Sequence, residues 1–250
     1  DGYIPRIKFT SDPEKLAIMT LNRHQNRFDI YMANPRSALC KLTIRDEAEQ
    51  YIKEQEYGSI AFYPNHIVLM SERDGYNHLY LYTIGGNLIK QVTKGKFEVK
   101  DFLGWDKPTN TFYYTSNEES PLRTAVYKTD AKEKTIKLST RTGTNSAIST
   151  NLSYYINNFS NIDTPTLITI NNNKGKELTT LLDNSKLKSE VATLNMPKKE
   201  FFSFRTTEGV ELNGWMMKPA NFDPNKKYPA IIYVYGGPHA QLIHNNRFYD

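Results

Sequence analysis

A strand, turn, strand, strand unit recurs four times in this chain at a spacing of roughly 40–50 residues, and such self-similarity is the signature of stacked blades. In the first copy the three strands are expected at Leu16–Thr20, Phe28–Ala33 and Ala38–Ile44, and in the second at Ile67–Ser71, His78–Thr83 and Leu88–Thr93. The third runs through Phe112–Ser116, Thr124–Thr129 and Thr135–Ser139, and a weaker fourth through Leu152–Asn157, Thr166–Ile170 and Glu177–Leu182. Tyr31, Tyr80, Tyr127 and Ile168 take equivalent places in the four middle strands. Asp74-Gly75, Gly85-Gly86-Asn87 and Asn171–Gly175 supply turn residues that tolerate positive φ. Tyr (17) and Phe (12) are frequent enough to furnish these strands with aromatic cores, so the chain reads as mostly β. Evenly spaced hairpins also build β-sandwiches, so the repeat by itself is compatible with a propeller or a sandwich. Arg45–Gln55 has helical propensity where a blade needs its outer strand, and tertiary context is expected to override that weak preference.

From about Met196 the character changes. Phe201–Arg205 and Glu211–Pro219 are followed by the apolar run Ala230–Tyr235, which ends at Gly236-Gly237-Pro238. Such a run predicts a strand buried on both faces. Two domains are expected: residues 1–195, which hold the repeats, and 196–250 as a linker and the start of a second domain.

Charge narrows the partners. The 32 basic and 27 acidic residues, net +5, are scattered without a basic stripe, which argues against nucleic-acid or anionic-membrane binding. No apolar stretch approaches the roughly 18 residues of a membrane span, and Asp1–Pro5 lacks a signal-peptide layout. One cysteine, Cys40, excludes an internal disulfide, and beside Leu39 and Leu42 it is expected to be a small buried side chain. No Cys/His cluster has metal-ligand spacing, so neither a metal nor a cofactor is expected.

Three blocks resemble the prolyl oligopeptidase class of serine peptidases, and in particular its dipeptidyl peptidase IV branch in a bacterial form. These are Ser71–Tyr80 (SERDGYNHLY), Val92–Val99 (VTKGKFEV), and Lys226–Ala230 continuing through Tyr235–Gln241 (YGGPHAQ). The resemblance extends over essentially the whole chain, with the blocks in family order. It implies an internal fragment holding about four of eight propeller blades, followed by the first strands of an α/β-hydrolase domain. It also implies a serine exopeptidase that releases N-terminal dipeptides, preferably after proline, a homodimeric parent, and a periplasmic or cell-surface location. A propeller-type binding module, or an oligopeptidase or tripeptidyl peptidase of the same fold, remain the alternatives.

Acyl transfer in this class needs a nucleophile on a G-x-S-x-G elbow with an acid and a histidine downstream, and no such elbow occurs in the 250 residues. The resemblance therefore implies that the triad lies beyond Asp250 and that this chain alone is inactive. Gly58-Ser59 lacks the second glycine, His78 reads as a packed structural histidine, and neither His239 nor His244 matches the family's catalytic histidine. Glu118-Glu119 reads as a solvated turn, because the family's amino-terminus anchor belongs to an earlier segment. Tyr235 is the one residue given a chemical role: by resemblance, its hydroxyl helps stabilise the tetrahedral oxyanion. Asn151-Leu152-Ser153 and Asn158-Phe159-Ser160 are formal but weak glycosylation sequons.

Overall fold

A computed structural model describes residues 2–237 and 240–246, with the backbone alone at Gln55 and Glu56. The four repeats are four sheets, each a four-stranded antiparallel meander in chain order. Blade 1 holds β1 (Gly2–Phe9), β2 (Leu16–Asn22), β3 (Arg27–Ala33) and β4 (Cys40–Glu47), and a short helix α1 (Glu54–Gly58) leads on. Blade 2 holds β5 (Ala61–Tyr63), β6 (His66–Ser71), β7 (His78–Thr83) and β8 (Leu88–Gln91). Blade 3 holds β9 (Val99–Asp106), β10 (Thr111–Ser116), β11 (Ala125–Thr129) and β12 (Thr135–Lys137). Blade 4 holds β13 (Thr144–Ile148), β14 (Tyr154–Asn161), β15 (Thr164–Asn172) and β16 (Glu177–Leu182). After helix α2 (Ser185–Thr193), a separate hairpin pairs β17 (Lys199–Arg205) with β18 (Glu211–Met217). No helix among the described residues is long and apolar enough to cross a membrane.

Alternation within the strands explains why the sheets stack. In β6, Ile67 and Leu69 face blade 1 while Val68 and Met70 face blade 3; in β7, Tyr80 and Tyr82 face blade 1 while Leu79 and Leu81 face blade 3. Blade 3 repeats the device, with Phe112, Tyr114 and Tyr127 against blade 2 and Tyr113 and Val126 against blade 4. Both faces of the middle blades are therefore dry, and each fully buried Ile, Leu or Met stabilises the stack by about 1.5–3 kcal/mol. A two-sheet sandwich would leave one face of each sheet wet, so this is the arrangement of consecutive propeller blades.

Backbone bonds join the blades at one end. In blades 2 and 3 the residue just before the third strand accepts from the next blade: Asn77 O from Val99 N (2.8 Å) and Thr124 O from Asn145 N (3.0 Å). Arg73 adds a side-chain tie, donating to Asp46 of blade 1 (2.9 Å) and to the Tyr82 hydroxyl, with its guanidinium 4.5 Å from the Tyr80 ring centroid.

Several sequence expectations need correction. Each blade has one more strand than the pattern showed, since β1, β5, β9 and β13 precede the three anticipated ones. Cys40 is exposed, as are Leu39 and Leu42, because the outer strand β4 turns only Ile44 and Asp46 into the core. In the fourth copy the hairpin bends at 162–163, and Ile168 pairs with Asn158 on the face turned away from blade 3. Tyr80 and Tyr127 face the preceding blade, so Ile168 is not their equivalent; a one-residue offset reverses the face. Arg45–Glu47 does join the outer strand, whereas Glu54–Gly58 keeps its helical preference. Ala230–Tyr235 forms no strand and is exposed, Ile231 by 98%, because the described residues offer it no ladder partner.

The outer turns show where blades approach most closely. Gly86 (φ 93°), Glu133 (φ 61°) and Gly175 (φ 84°) occupy the same left-handed position, each donating its N–H to the carbonyl three residues earlier. A Cβ on Gly86 would lie 1.8 Å from the Thr43 carbonyl oxygen, and one on Gly175 would lie 2.5 Å from that of Leu138. Gly86→Ala is expected to destabilise the fold by more than about 2 kcal/mol, through strain plus clash. Glu133→Gly should stay within about 1 kcal/mol of the native chain. Urea titration of the two variants checks this ordering, and an unaffected Gly86→Ala would contradict the tight approach.

Blade 4 turns an apolar row outward, in which Ile148 pairs with Ile156 and Ile156 with Ile170. Ile148 is 72% and Ile156 43% exposed. The chain is accordingly expected to self-associate at micromolar concentration, and Ile156→Lys to shift it toward monomer. Sedimentation velocity reads this directly, and a concentration-independent native monomer would refute it.

Candidate functional site

The chain bends sharply after its apolar run. Gly236 has φ 67°, and the Tyr235 ring lies so close over Gly237 that a Cβ there would stand 2.3 Å from the ring edge. Two successive glycines thus let the ring fold back over the bend. Tyr235 itself is 67% exposed, and its hydroxyl has no hydrogen-bond partner among the described residues. Pro238 and His239, the next residues of the motif, lie outside the described residues.

Past the bend the chain returns to the blades. The Gln241 side-chain amide donates to the Pro121 carbonyl, and Asn245 N–H donates to the Leu122 carbonyl at 2.8 Å, both in the β10–β11 loop of blade 3. Thr144 Oγ1 at the start of β13 donates to Asn245 O (3.1 Å), and Ile162 N–H in the β14–β15 turn donates to Asn245 Oδ1 (3.2 Å). His244 is occupied locally, with Nε2–H donating to Gln241 O at 2.8 Å. The segment after Tyr235 is therefore seated on the blade end where the interblade backbone bonds also lie.

Other titratable candidates at these loops have structural partners. His78 is fully buried, with Nε2 3.0 Å from the Gly95 carbonyl and Nδ1 3.0 Å from Thr93 Oγ1. A carbonyl only accepts, so Nε2–H donates to Gly95 O, and the Thr93 hydroxyl beside Nδ1 also accepts Leu79 N–H at 3.0 Å. This buried, twice-bonded ring is the packed histidine the sequence suggested. Glu119 is held by Lys137, whose Nζ is 2.7 Å from both carboxylate oxygens. Partial burial, and then the neighbouring Glu119 charge, raise the Glu118 carboxyl above the usual range. Gly58 O of the Gly58-Ser59 pair accepts from Lys8 Nζ (2.9 Å), a blade 1 contact.

Sequence reasoning singles out Tyr235 and gives no role to Gln241, which closes the same motif, or to Asn245, since a side-chain amide reveals no partner until its acceptor is known. It also matched Ser71–Tyr80 without its reason. Ser71 Oγ accepts from Arg73 N (3.2 Å) and Nε (3.1 Å), aiming the guanidinium across the blade boundary at Asp46. Burial, and then the nearby Asp74 charge, push the Tyr80 hydroxyl well above its usual range.

Comparison with known proteins agrees with this layout. A family model described as the dipeptidyl peptidase IV (DPP IV) N-terminal region matches residues 1–166. Curated relatives include a probable dipeptidyl peptidase 4 of Aspergillus flavus, 31% identical over 178 residues, covering 70% of this chain and 23% of that protein. A dipeptidyl peptidase 4 of Trichophyton rubrum is 29% identical over 246 residues, covering 94% of this chain and 31% of that protein. Among solved structures, Porphyromonas gingivalis dipeptidyl peptidase 4 aligns with all of this chain and 36% of its own, with a TM-score of 0.96 and 40% identity. The chain thus spans about a quarter to a third of the length of these relatives.

Proposed function

This chain belongs to the dipeptidyl peptidase IV family, and from that premise we propose that it serves within a longer serine exopeptidase that removes N-terminal dipeptides, preferably after proline. Residues 1–195 act as the late part of the propeller, and 196–250 as the linker and entry to an α/β-hydrolase domain. The change of character near Met196 supports that division, as does the separation of the β17–β18 hairpin from the blade sheets. A periplasmic or cell-surface location belongs to the same proposal, by likeness to bacterial members.

Tyr235 is assigned to the oxyanion. What carries this reading is one observation: past the Tyr235–Gly237 bend, at Gln241 and Asn245, the chain bonds to the loop end of blades 3 and 4. A phenol on a bent segment tethered there supports a donor facing a cleft between propeller and hydrolase. Its hydroxyl has no competing protein acceptor among the described residues, and such a donor strengthens as negative charge develops on the substrate oxygen. The nucleophile, its acid and its histidine are not supplied by these 250 residues.

Tyr235→Phe in the peptidase that carries this segment removes the donor and keeps the ring. The expected result is a fall in kcat of roughly 10²–10³, with KM and Tm little changed. Steady-state kinetics on a chromogenic Gly-Pro substrate check it. An unchanged kcat in a folded variant would make Tyr235 a packing residue.

A further inference from the structure

Between Met217, the last residue of β18, and Gln241, no described residue belongs to a sheet. The backbone-to-backbone hydrogen bonds there are local: Phe222 N to Pro219 O, Lys226 N to Asp223 O and Ala240 N to Gly237 O. Ile231, Ile232, Tyr233, Val234 and Tyr235 are all exposed. The whole stretch that bears Tyr235 is therefore held from its two ends, and at the end nearer Tyr235 one residue makes most of the bonds to the blades.

That residue is Asn245. Three of its groups are used at once, each toward a different partner: the N–H to Leu122 O (2.8 Å), the carbonyl from Thr144 Oγ1 (3.1 Å), and Oδ1 from Ile162 N–H (3.2 Å). The partners come from the β10–β11 loop of blade 3, from β13, and from the β14–β15 turn of blade 4. The neighbouring backbone bonds Thr124 N to Gly143 O (3.1 Å) and Asn145 N to Thr124 O (3.0 Å) fix those loops to one another, so Asn245 docks on a braced surface. Gln241 adds a second tie, to the Pro121 carbonyl, and its amide also donates to Ile243 O (3.0 Å), which rounds the segment into a compact turn. Only a short side chain with a carbonyl-type acceptor reaches Ile162 N–H while leaving the backbone of residue 245 in bonding contact on both sides.

We propose that Asn245 is a positioning residue: it latches the segment that follows Tyr235 onto blades 3 and 4 and thereby holds the Tyr235 hydroxyl where the oxyanion forms. The proposal rests on the reading of Tyr235 given above. Because Asn245 touches blade backbone rather than substrate, its effect on chemistry runs through Tyr235.

The test uses the peptidase that carries this segment, with the variants Asn245→Leu, Asn245→Asp, Tyr235→Phe and the double variant Tyr235→Phe/Asn245→Leu. Asn245→Leu removes the acceptor and should lower kcat about 10–100-fold through misplacement, with KM within about twofold. Asn245→Asp keeps an acceptor for Ile162 N–H and should recover most of the loss. The double variant should be no slower than Tyr235→Phe alone to within about twofold, because the two residues act on one interaction. Amide exchange at Ile162 should accelerate in Asn245→Leu and not in Asn245→Asp. If Tyr235→Phe is slow but Asn245→Leu matches the native enzyme, or the two losses multiply, the positioning role is overturned. Equal loss in Asn245→Leu and Asn245→Asp with a lowered Tm would also overturn it, by showing a general structural role. Were Tyr235→Phe itself silent, the reading of Tyr235 would fall and the positioning role with it, while exchange at Ile162 would still report whether the latch exists.

Discussion

Burial of each sheet's two faces by its neighbours is the interaction on which this structure depends. A four-stranded meander has apolar residues on both faces, as β6 and β7 show with Ile67, Leu69, Tyr80 and Tyr82 on one side and Val68, Met70, Leu79 and Leu81 on the other. Neither set can be covered within its own sheet. Stability therefore rises with each neighbour added, as in other repeat architectures, and blades 1 and 4 each have one face that no other described blade covers. Blade 4 illustrates the consequence: its face toward blade 3 buries Tyr155 and Phe159, while Ile148 and Ile156 on the other side stand in water.

Blade-on-blade contact also decides the finer features. The outer turns require glycine where the preceding blade's carbonyl is closest, at Gly86 and Gly175, and accept Glu133 at the third. Two buried asparagines bond directly across blade boundaries. Asn77 Nδ2 donates to Val99 O (2.8 Å) and Asn145 Nδ2 to Thr124 O (2.8 Å), and within blade 4 Asn157 Nδ2 supports Asn145 by donating to its Oδ1 (2.9 Å). The same bracing gives the loop end of blades 3 and 4 the rigidity to receive the turn at 241–245, so the architecture and the site share one cause.

Much of this was legible in the residues. The middle strands of each blade alternate strongly and carry aromatics, so β2, β3, β6, β7, β10 and β11 were found nearly in place. The first strand of each blade was not, for local reasons: β1 contains Pro5, β5 is three residues long, β9 is interrupted by Gly104 and register shifts, and the polar β13 reads Thr-Asn-Ser-Ala-Ile. Ile168 was assigned to the wrong face because the longer β14–β15 hairpin carries a register shift between Phe159 and Asn161. Cys40 was judged by its apolar neighbours, which on an outer strand are themselves exposed. At the site, Tyr235 can be singled out because its block resembles a family motif, whereas the partners of Asn245 are blade groups distant in sequence, at Leu122, Thr144 and Ile162, that no pattern in its own neighbourhood reveals.

If neighbour packing holds the chain together, local stability must follow the number of covered faces. Native-state hydrogen exchange resolved along the chain measures this directly. Amides of β6, β7, β10 and β11, in the blades covered on both sides, should exchange slowest and by global opening. Those of β1 and β16, and of residues 219–237, should exchange orders of magnitude faster. Uniform protection across all four blades, or β1 and β16 as slow as β7 and β11, would contradict the dependence of each blade on its neighbours.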